Sequence, residues 1–435
     1  MNMNDLILKK RSGEVLSKEE IEEFITGYTK GEIPDYQAAA LLMAIWFKKL
    51  NKEETYNLTR AMKYSGDVVD LSEIKGIKVD KHSTGGVGDK TTLIIGPIAA
   101  ALGVPIAKMS GRGLGFTGGT VDKMESIPGF KTELDAKEFL NQVNDIGISV
   151  IGQTAHVAPA DKKLYALRDV TATIDNVSLI TASIMSKKLA SGSDAVVLDV
   201  KCGKGAFMET EEAAEELGTM MVEIGKADGK KMAAVITDMN QPLGRAVGNS
   251  LEIIEVIETL KGNGPADLTE LSVTLAGIML YLGEKAETIE QGIEMAKGAI
   301  SDGSALKKLG EFIERQGGNK NVIKDYSLFP SHSISLEVKA DKTGYITDID
   351  ARRIGLASQH SGAGRATKED VIDLSCGIYL NKKRGEYVEA GEILATIYGN
   401  NLEKLETARN EAFLAYNIGT EEVLPLKLVK KIIGL

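Results

Sequence analysis

The segment Lys81 to Thr92, KHSTGGVGDKTT, lies between the strand-like run Ile77–Val79 and an apolar helical stretch from Leu93. A strand that enters a glycine-rich turn and leaves it as a helix opens an alternation of strands and helices, which argues for a layered α/β fold. Glycines let successive backbone N–H groups turn toward one point, and a helix N-terminus adds partial positive charge there. Ser83, Thr84, Thr91 and Thr92 supply hydroxyl donors and Lys81 a formal charge, the equipment of a phosphate site. The alternative is a glycine turn with a satisfied helix cap; the lysine and hydroxyls favour the anion site. The spacing is not that of a Walker A loop, and Lys90-Thr91 stand where a dinucleotide fingerprint needs its third glycine.

A second loop repeats the idea. Lys108 to Thr120, KMSGRGLGFTGGT, leaves the apolar run 104–107 and holds five glycines between residues 111 and 119. Such a density costs conformational entropy that a plain connection does not require. Lys108, Ser110 and Thr120 offer donors to the same anion if the two loops lie at adjacent strand ends. Asp122 and Glu125 are read as structural, capping the next helix or orienting the basic groups.

The apolar runs 104–110, 148–153, 194–200 and 232–237 alternate with helical stretches such as Glu211–Ile224, which argues for a largely parallel or mixed sheet. The first 65 residues read as helices. Ser17-Lys18-Glu19-Glu20 is a capping box, and Asn51 with Glu54 opens a helix running to about Met62. Residues 161–190 look helical again. The expected division is a discontinuous helical domain (1–65 and 161–193), an α/β domain (70–160 and 194–330) and a small β-rich C-terminal lobe (331–435). Residues 316–333 read as a linker.

Charge and cysteine usage narrow the function. Lys+Arg 52 against Asp+Glu 62 gives a net charge of −10, which argues against a general nucleic-acid surface and leaves any anion to a local cluster. Two cysteines exclude a disulfide framework and fit a reducing compartment, the cytoplasm. The opening MNMNDLILKKRSG shows no signal-peptide pattern, and no apolar run is long enough for a membrane span. Four histidines without pairing spacing argue against a zinc enzyme. His82 sits inside the phosphate loop, where acid–base work and a second phosphate contact are both open. A third constellation is cationic: Tyr165 and Arg168 at i,i+3, and Ser183 and Lys187 at i,i+4, each pair on one helix face. An Arg fork with Ser and Lys suits a flat ligand with carbonyl and N–H edges. The alternative, favoured by spacing alone, pairs Arg168 with Asp169 or Asp175 on a solvated surface.

Taken together, KHSTGGVGDK, SGRGLGFTGGTVDKMES, LYALRDVTAT, SIMSKK, DVKCGKGAFM, MNQPLGRAVGN and GAGRATKEDVIDL resemble, in order, the pyrimidine nucleoside phosphorylase/thymidine phosphorylase family. The resemblance spans essentially the whole chain. It implies reversible phosphorolysis of uridine, thymidine or deoxyuridine to free base and pentose 1-phosphate, a role in pyrimidine salvage, and a homodimer formed through the helical domain. It implies no organic cofactor. By position, phosphate would meet Lys81, Ser83, Thr92, Lys108, Ser110 and Thr120. The base would meet Arg168, Ser183 and Lys187, with Tyr165 nearby and Leu114, Ile174 and Phe207 as apolar walls. His82, Arg168 and Lys187 would act in catalysis, His82 as proton donor to the leaving base. The resemblance also implies a potassium ion held by Gly88, residue 90, Leu243, Ala246 and Glu255. Residue 90 is often threonine in relatives and is Lys90 here, an ammonium set to repel or replace the cation. Phe116 and Cys202 also depart from the pattern. Two rival readings are an anthranilate-type phosphoribosyltransferase and a non-catalytic phosphate-binding or carrier protein.

Overall fold

The computed structural model describes residues 2–435 apart from Leu114, Ala155 and Lys368. Four helices open the chain: α1 (Met3–Ser12), α2 (Lys18–Lys30), α3 (Asp35–Lys48) and α4 (Lys52–Lys63). The anticipated caps are present, because Ser17 and Glu20, and Asn51 and Glu54, satisfy each other's free backbone N–H groups. Next come β1 (Val79–Ser83), α5 (Thr92–Ala101), β2 (Ile106–Ser110), α6 (Thr120–Glu125), α7 (Ala136–Ile146) and β3 (Ile148–Gly152). Two helices follow, α8 (Pro159–Val170) and α9 (Val177–Ala190). Leu164, Leu179 and Ala182 from these helices share one core with Leu6, Phe24, Ile25, Leu41, Leu58 and Met62, so the helical bundle is built from two separate stretches of chain.

The chain returns to the α/β layer with β4 (Ala195–Cys202), α10 (Glu211–Ala227), β5 (Lys231–Asp238), β6 (Ala246–Val247) and α11 (Asn249–Leu260). Helices α12 (Ala266–Leu282), α13 (Ile289–Ser301) and α14 (Ser304–Arg315) complete it. Strands β1, β4 and β5 are parallel neighbours, and β2 pairs in parallel with β3 in a sheet of two. All eight residues of β4 are buried, as expected for a strand covered on both faces.

The C-terminal part contains β7 (Ile334–Lys339), β8 (Gly344–Ile349), α15 (Ala351–Ser358), β9 (Gly377–Leu380), β10 (Tyr387–Val388) and β11 (Ile393–Gly399). It ends with α16 (Leu402–Ala415), β12 (Tyr416–Gly419) and β13 (Val429–Ile433). The C-terminal lobe is β-rich as expected, with two additions: helices α15 and α16 pack inside it, and β13 leaves it to pair antiparallel with β5. The α/β layer reaches back in turn, with β6 pairing β9.

The segment expected as a linker is a packed strap. Gln316 is fully buried, and its side chain takes the place of a neighbouring strand at the outer edge of β3. Val150 N–H donates to its Oε1 at 3.2 Å, and its Nε2 donates to Val150 O at 3.0 Å and Lys131 O. Gln316→Leu strands buried backbone groups that water cannot reach. It is expected to lower unfolding stability by roughly 2 kcal/mol, read as a shift in the urea midpoint at unchanged slope.

Candidate active site

Strand β1 runs four residues further than the apolar pattern indicates, so Lys81, His82 and Ser83 project from its C-terminal end rather than from the loop. The turn is held locally: Gly85 N–H donates to Ser83 Oγ at 3.1 Å, and Thr84 N–H donates to Asp199 O of β4 at 3.0 Å. Asp89 Oδ1 then accepts from Thr91 N–H and Oγ1, closing the loop onto α5.

Beneath the loop lies a buried charge cluster. Lys81 Nζ donates to Thr91 Oγ1 at 2.7 Å and lies 3.2 Å from Asp199 and 3.4 Å from Asp89. Lys201 Nζ sits 2.7 Å from Asp199 and 3.8 Å from Asp89. Burial opposes the Asp89 charge, but Lys81 and Lys201 hold its carboxyl well below the ordinary range. Two ammoniums thus balance two carboxylates.

The neighbouring cluster is not balanced. Asp80 receives both Lys108 and Lys188, each at 3.0 Å, leaving one net positive charge beside His82. Lys108 also donates to Lys81 O, and Lys188 to Met109 O. Burial, with help from Lys188 and Lys81, pushes the Lys108 ammonium down to about 8. Burial and the Lys188 and Lys108 charges push the His82 imidazole well below its usual range, so in the free protein it is neutral.

These groups open onto a recess of about 290 Å³. All six anion residues, Lys81, Ser83, Thr92, Lys108, Ser110 and Thr120, line it together with His82, Lys187 and Lys188. The recess continues into a cleft of about 700 Å³ between β3 and α8, lined by Tyr165, Asp161, Lys162, Gln153 and Lys187. Lys187 is shared by both spaces. It pairs with Asp161, and its Nζ lies 3.4 Å from Ser183 Oγ. Phe207 is more than half exposed and overhangs Gly85, where a Cβ would sit 3.6 Å from its ring. Leu114 lies outside the described residues.

Arg168 is not where either sequence reading puts it. It faces neither the cleft nor a surface carboxylate. Its guanidinium donates to Thr173 O at 3.1 Å, Ile174 O at 2.7 Å and Leu179 O at 3.1 Å. The turn between α8 and α9 leaves carbonyls that need donors; the buried Arg fork supplies two of them and also reaches Leu179 O in the first turn of α9. Ser183 is buried and reaches the cleft only through Lys187.

The second glycine loop is braced from behind. Asp122 accepts Gly113 N–H at 2.7 Å, Arg112 at 3.2 Å and Arg365 at 2.8 Å, while Glu125 takes both Arg112 nitrogens. Asp122 and Glu125 are therefore structural, as read. Cys202 is buried, its thiol pushed up to about 11 by burial and Asp238, and does not line the cleft. Among the described residues no cluster of three or more His, Cys, Asp or Glu can hold a metal ion. No described helix is long and apolar enough to cross a membrane.

The oxygens expected around a potassium ion converge on Lys90 instead: Nζ donates to Leu243 O, Ala246 O and Glu255 Oε2. Sequence reasoning passed over Asp80, Asp161, Lys188, Asp199 and Lys201. One signal was available for the last two. Asp199 and Lys201 are i,i+2 in an otherwise apolar run, hence on one face of a buried strand, where charges must pair.

Fold and site together define an anion-holding cleft between a helical bundle and an α/β layer. The helical-bundle domain of the glycosyl transferase family matches residues 4–66, and that family's a/b domain matches residues 75–306. The pyrimidine nucleoside phosphorylase C-terminal domain matches residues 345–419. The chain is 56% identical to the pyrimidine-nucleoside phosphorylase of Staphylococcus epidermidis over 93% of each chain. It is also 56% identical to that of Geobacillus stearothermophilus over 92% of each. The chain belongs to the pyrimidine-nucleoside phosphorylase family of glycosyl transferases. Its fold is shared with anthranilate phosphoribosyltransferase from Thermus thermophilus, at TM-score 0.59 and 20% identity, covering 72% of this chain and 99% of that one.

The Lys108 charge gives a pH signature. Its ammonium is present below about 8 and is lost as the pH rises through that value. Phosphate affinity, measured by calorimetry at constant ionic strength, is expected to fall about tenfold per pH unit above 8, the limit for one required proton. In Lys108→Arg, whose guanidinium stays charged, this alkaline limb is expected to vanish.

Proposed function

We propose that this protein catalyses the reversible phosphorolysis of pyrimidine nucleosides, transferring the pentose from the base to phosphate. The observation that carries the reading is the shared wall: one lysine, Lys187, borders both the anion recess and the wider cleft. An anion in the recess and a nucleoside in the cleft would lie side by side.

Phosphate bound over β1 and α5 is a nucleophile that needs only to be held near C1′, and positioning supplies much of the rate. A phosphate oxygen forms the bond to C1′ while the C1′–N1 bond breaks and its electron pair goes to the pyrimidine. Lys187, oriented by Asp161, stands on the cleft side and is suited to stabilising charge on a base carbonyl. His82 is proposed as the proton donor. It starts neutral, and the negative charge of bound phosphate raises its proton affinity beside the leaving base. Arg168 is assigned the task of holding the α8–α9 turn that carries Tyr165 and Lys187 toward the cleft, rather than direct contact with the base. Uridine, thymidine and deoxyuridine are the proposed substrates, and pyrimidine salvage the setting.

A homodimer is proposed as the working unit. Helix α3 is apolar on most sides yet leaves Tyr36 74% and Phe47 71% exposed, more aromatic surface than a solvated helix needs. Sedimentation at micromolar concentration is expected to give twice the chain mass, and Phe47→Glu to shift it toward monomer. The cytoplasm is the proposed compartment, supported by two buried, unpaired cysteines.

The deciding assay follows base release from uridine and thymidine by ultraviolet absorbance, with anthranilate plus phosphoribosyl pyrophosphate in parallel. Release only with phosphate is expected; activity in the parallel assay alone would replace this reading with a phosphoribosyltransferase. His82→Asn is expected to lower kcat roughly 10²-fold with a small change in phosphate KM. The His82 imidazole resonances are expected to move their titration upward when phosphate is added.

A further inference from the structure

Lys90 follows Asp89 at the end of the glycine loop, yet its side chain turns away from the anion recess and is completely buried. Its Nζ donates to Leu243 O at 3.2 Å, Ala246 O at 2.8 Å and Glu255 Oε2 at 2.5 Å. An ammonium has three N–H bonds, and these three acceptors use them all. Two carbonyls and a carboxylate are hard oxygen donors of the kind that alkali and alkaline-earth cations take.

The cradle is shaped independently of the lysine. Glu255 Oε1 accepts Arg245 N–H at 2.9 Å and Ala246 N–H at 3.2 Å, which fixes the carboxylate from its other side. A Cβ on Gly88 would lie 2.5 Å from Leu243 O. One on Gly244, whose φ is +69°, would lie 2.3 Å from Glu255 Oε2 and 3.1 Å from Lys90 Nζ. Backbone therefore closes on the charge from both sides, and no room is left beside Nζ for a second cation. A resident potassium ion does not fit these residues while Lys90 is extended. Three oxygen acceptors, one of them a carboxylate at 2.5 Å, match the three N–H donors of an ammonium.

The contact joins two functional pieces of chain. Segment 242–246 is also gripped by Lys383, which donates to Pro242 O and to Gly244 O at 2.8 Å and reaches Asp267 at 3.1 Å. Lys123 bonds Asp89 O at 2.7 Å and pairs with Glu252, one helical turn before Glu255 on α11. The end of the phosphate loop is thus tied to α11 and to segment 242–246 by lysine charges, beside one backbone bond from Leu243 N–H to Val87 O at 3.0 Å.

We propose that the Lys90 ammonium is a covalently attached replacement for a monovalent cation, so that this protein holds its phosphate loop in place without any dissociable ion. A bound ion stabilises according to its concentration, whereas a tethered charge does not. Lys90→Thr removes the tethered charge and leaves an oxygen-lined space with Glu255 uncompensated, which a potassium or ammonium ion would fill. Lys90→Met fills the same space with an uncharged chain and leaves nothing for an ion to enter.

The test is thermal unfolding of the full chain at constant ionic strength, with potassium chloride replacing choline chloride stepwise. The wild-type midpoint is expected to stay constant. Lys90→Thr is expected to start about 4 °C or more lower and to recover at least half of that with a saturable potassium dependence. Ammonium is expected to substitute for potassium, lithium not, and Lys90→Met to show no recovery. A saturable potassium response in the wild type would overturn the proposal, as would a Lys90→Thr midpoint indifferent to potassium. If Lys90→Thr does not fold in either salt, the wild-type titration alone decides. None of these readouts depends on the reaction assigned to the cleft.

Discussion

Two carboxylates and two ammoniums cancel beneath the glycine loop, where Asp89 and Asp199 meet Lys81 and Lys201 at the C-terminal ends of β1 and β4. Removing any one of the four would leave a buried charge without a partner, a loss of about 3–5 kcal/mol for a pair of this kind. The neutral cluster fixes the loop that lines the recess, and the excess charge sits in its neighbour. There Lys108 and Lys188 share the single carboxylate of Asp80. That imbalance is what the recess offers an anion, and together with burial, the larger effect, it keeps His82 neutral until negative charge arrives. Phosphate attraction therefore follows from the ratio of charges, and histidine protonation from that ratio and burial together.

The C-terminal part acts as a rear brace rather than an appended module. Arg365 reaches Asp122 behind the second glycine loop, and Lys383 grips segment 242–246 behind the first. Arg245 answers in the opposite direction, pairing with Glu386 and bonding Leu380 O. Strand β13 then returns to the central sheet beside β5. Both glycine loops, whose composition gives them little rigidity of their own, are thus fastened by charged side chains from sequence-distant elements. The cleft's other wall is set by α8 and α9, with Arg168 spanning the turn between them.

Much of this was legible where the chemistry is local. The capping box at Ser17 formed as read and the helix read from Asn51 opens on a second one; each needs only residues three positions apart. The buried strands 148–152 and 195–202 announced themselves by apolar runs, because a strand covered on both faces has no polar alternation to obscure it. The six anion residues were chosen from two loops 16 or more residues apart, and they line one recess because β1 and β2 end side by side. Arg168 was misplaced because a guanidinium's partners can be backbone carbonyls, which leave no mark in the sequence. Lys188, Asp80 and Asp161 were overlooked because their partners are supplied by other elements. The linker at 316–333 failed as a reading because Gln316 replaces a strand with a side chain, which composition does not encode.

By itself, then, the sequence determined the strand–loop–helix beginning of the α/β layer, the helical ends, the alternation of strand and helix, and the presence of a glycine-rich loop furnished for an anion, since each depends on neighbours within a few residues. The tertiary structure decided which charges cancel and which remain, that Arg168 turns inward, that β13 rejoins the central sheet, and that Lys90 takes the position of a cation. Those outcomes depend on distances between groups tens to hundreds of residues apart, and electrostatics inside a protein is set by distance and burial, neither of which is carried by the order of residues alone.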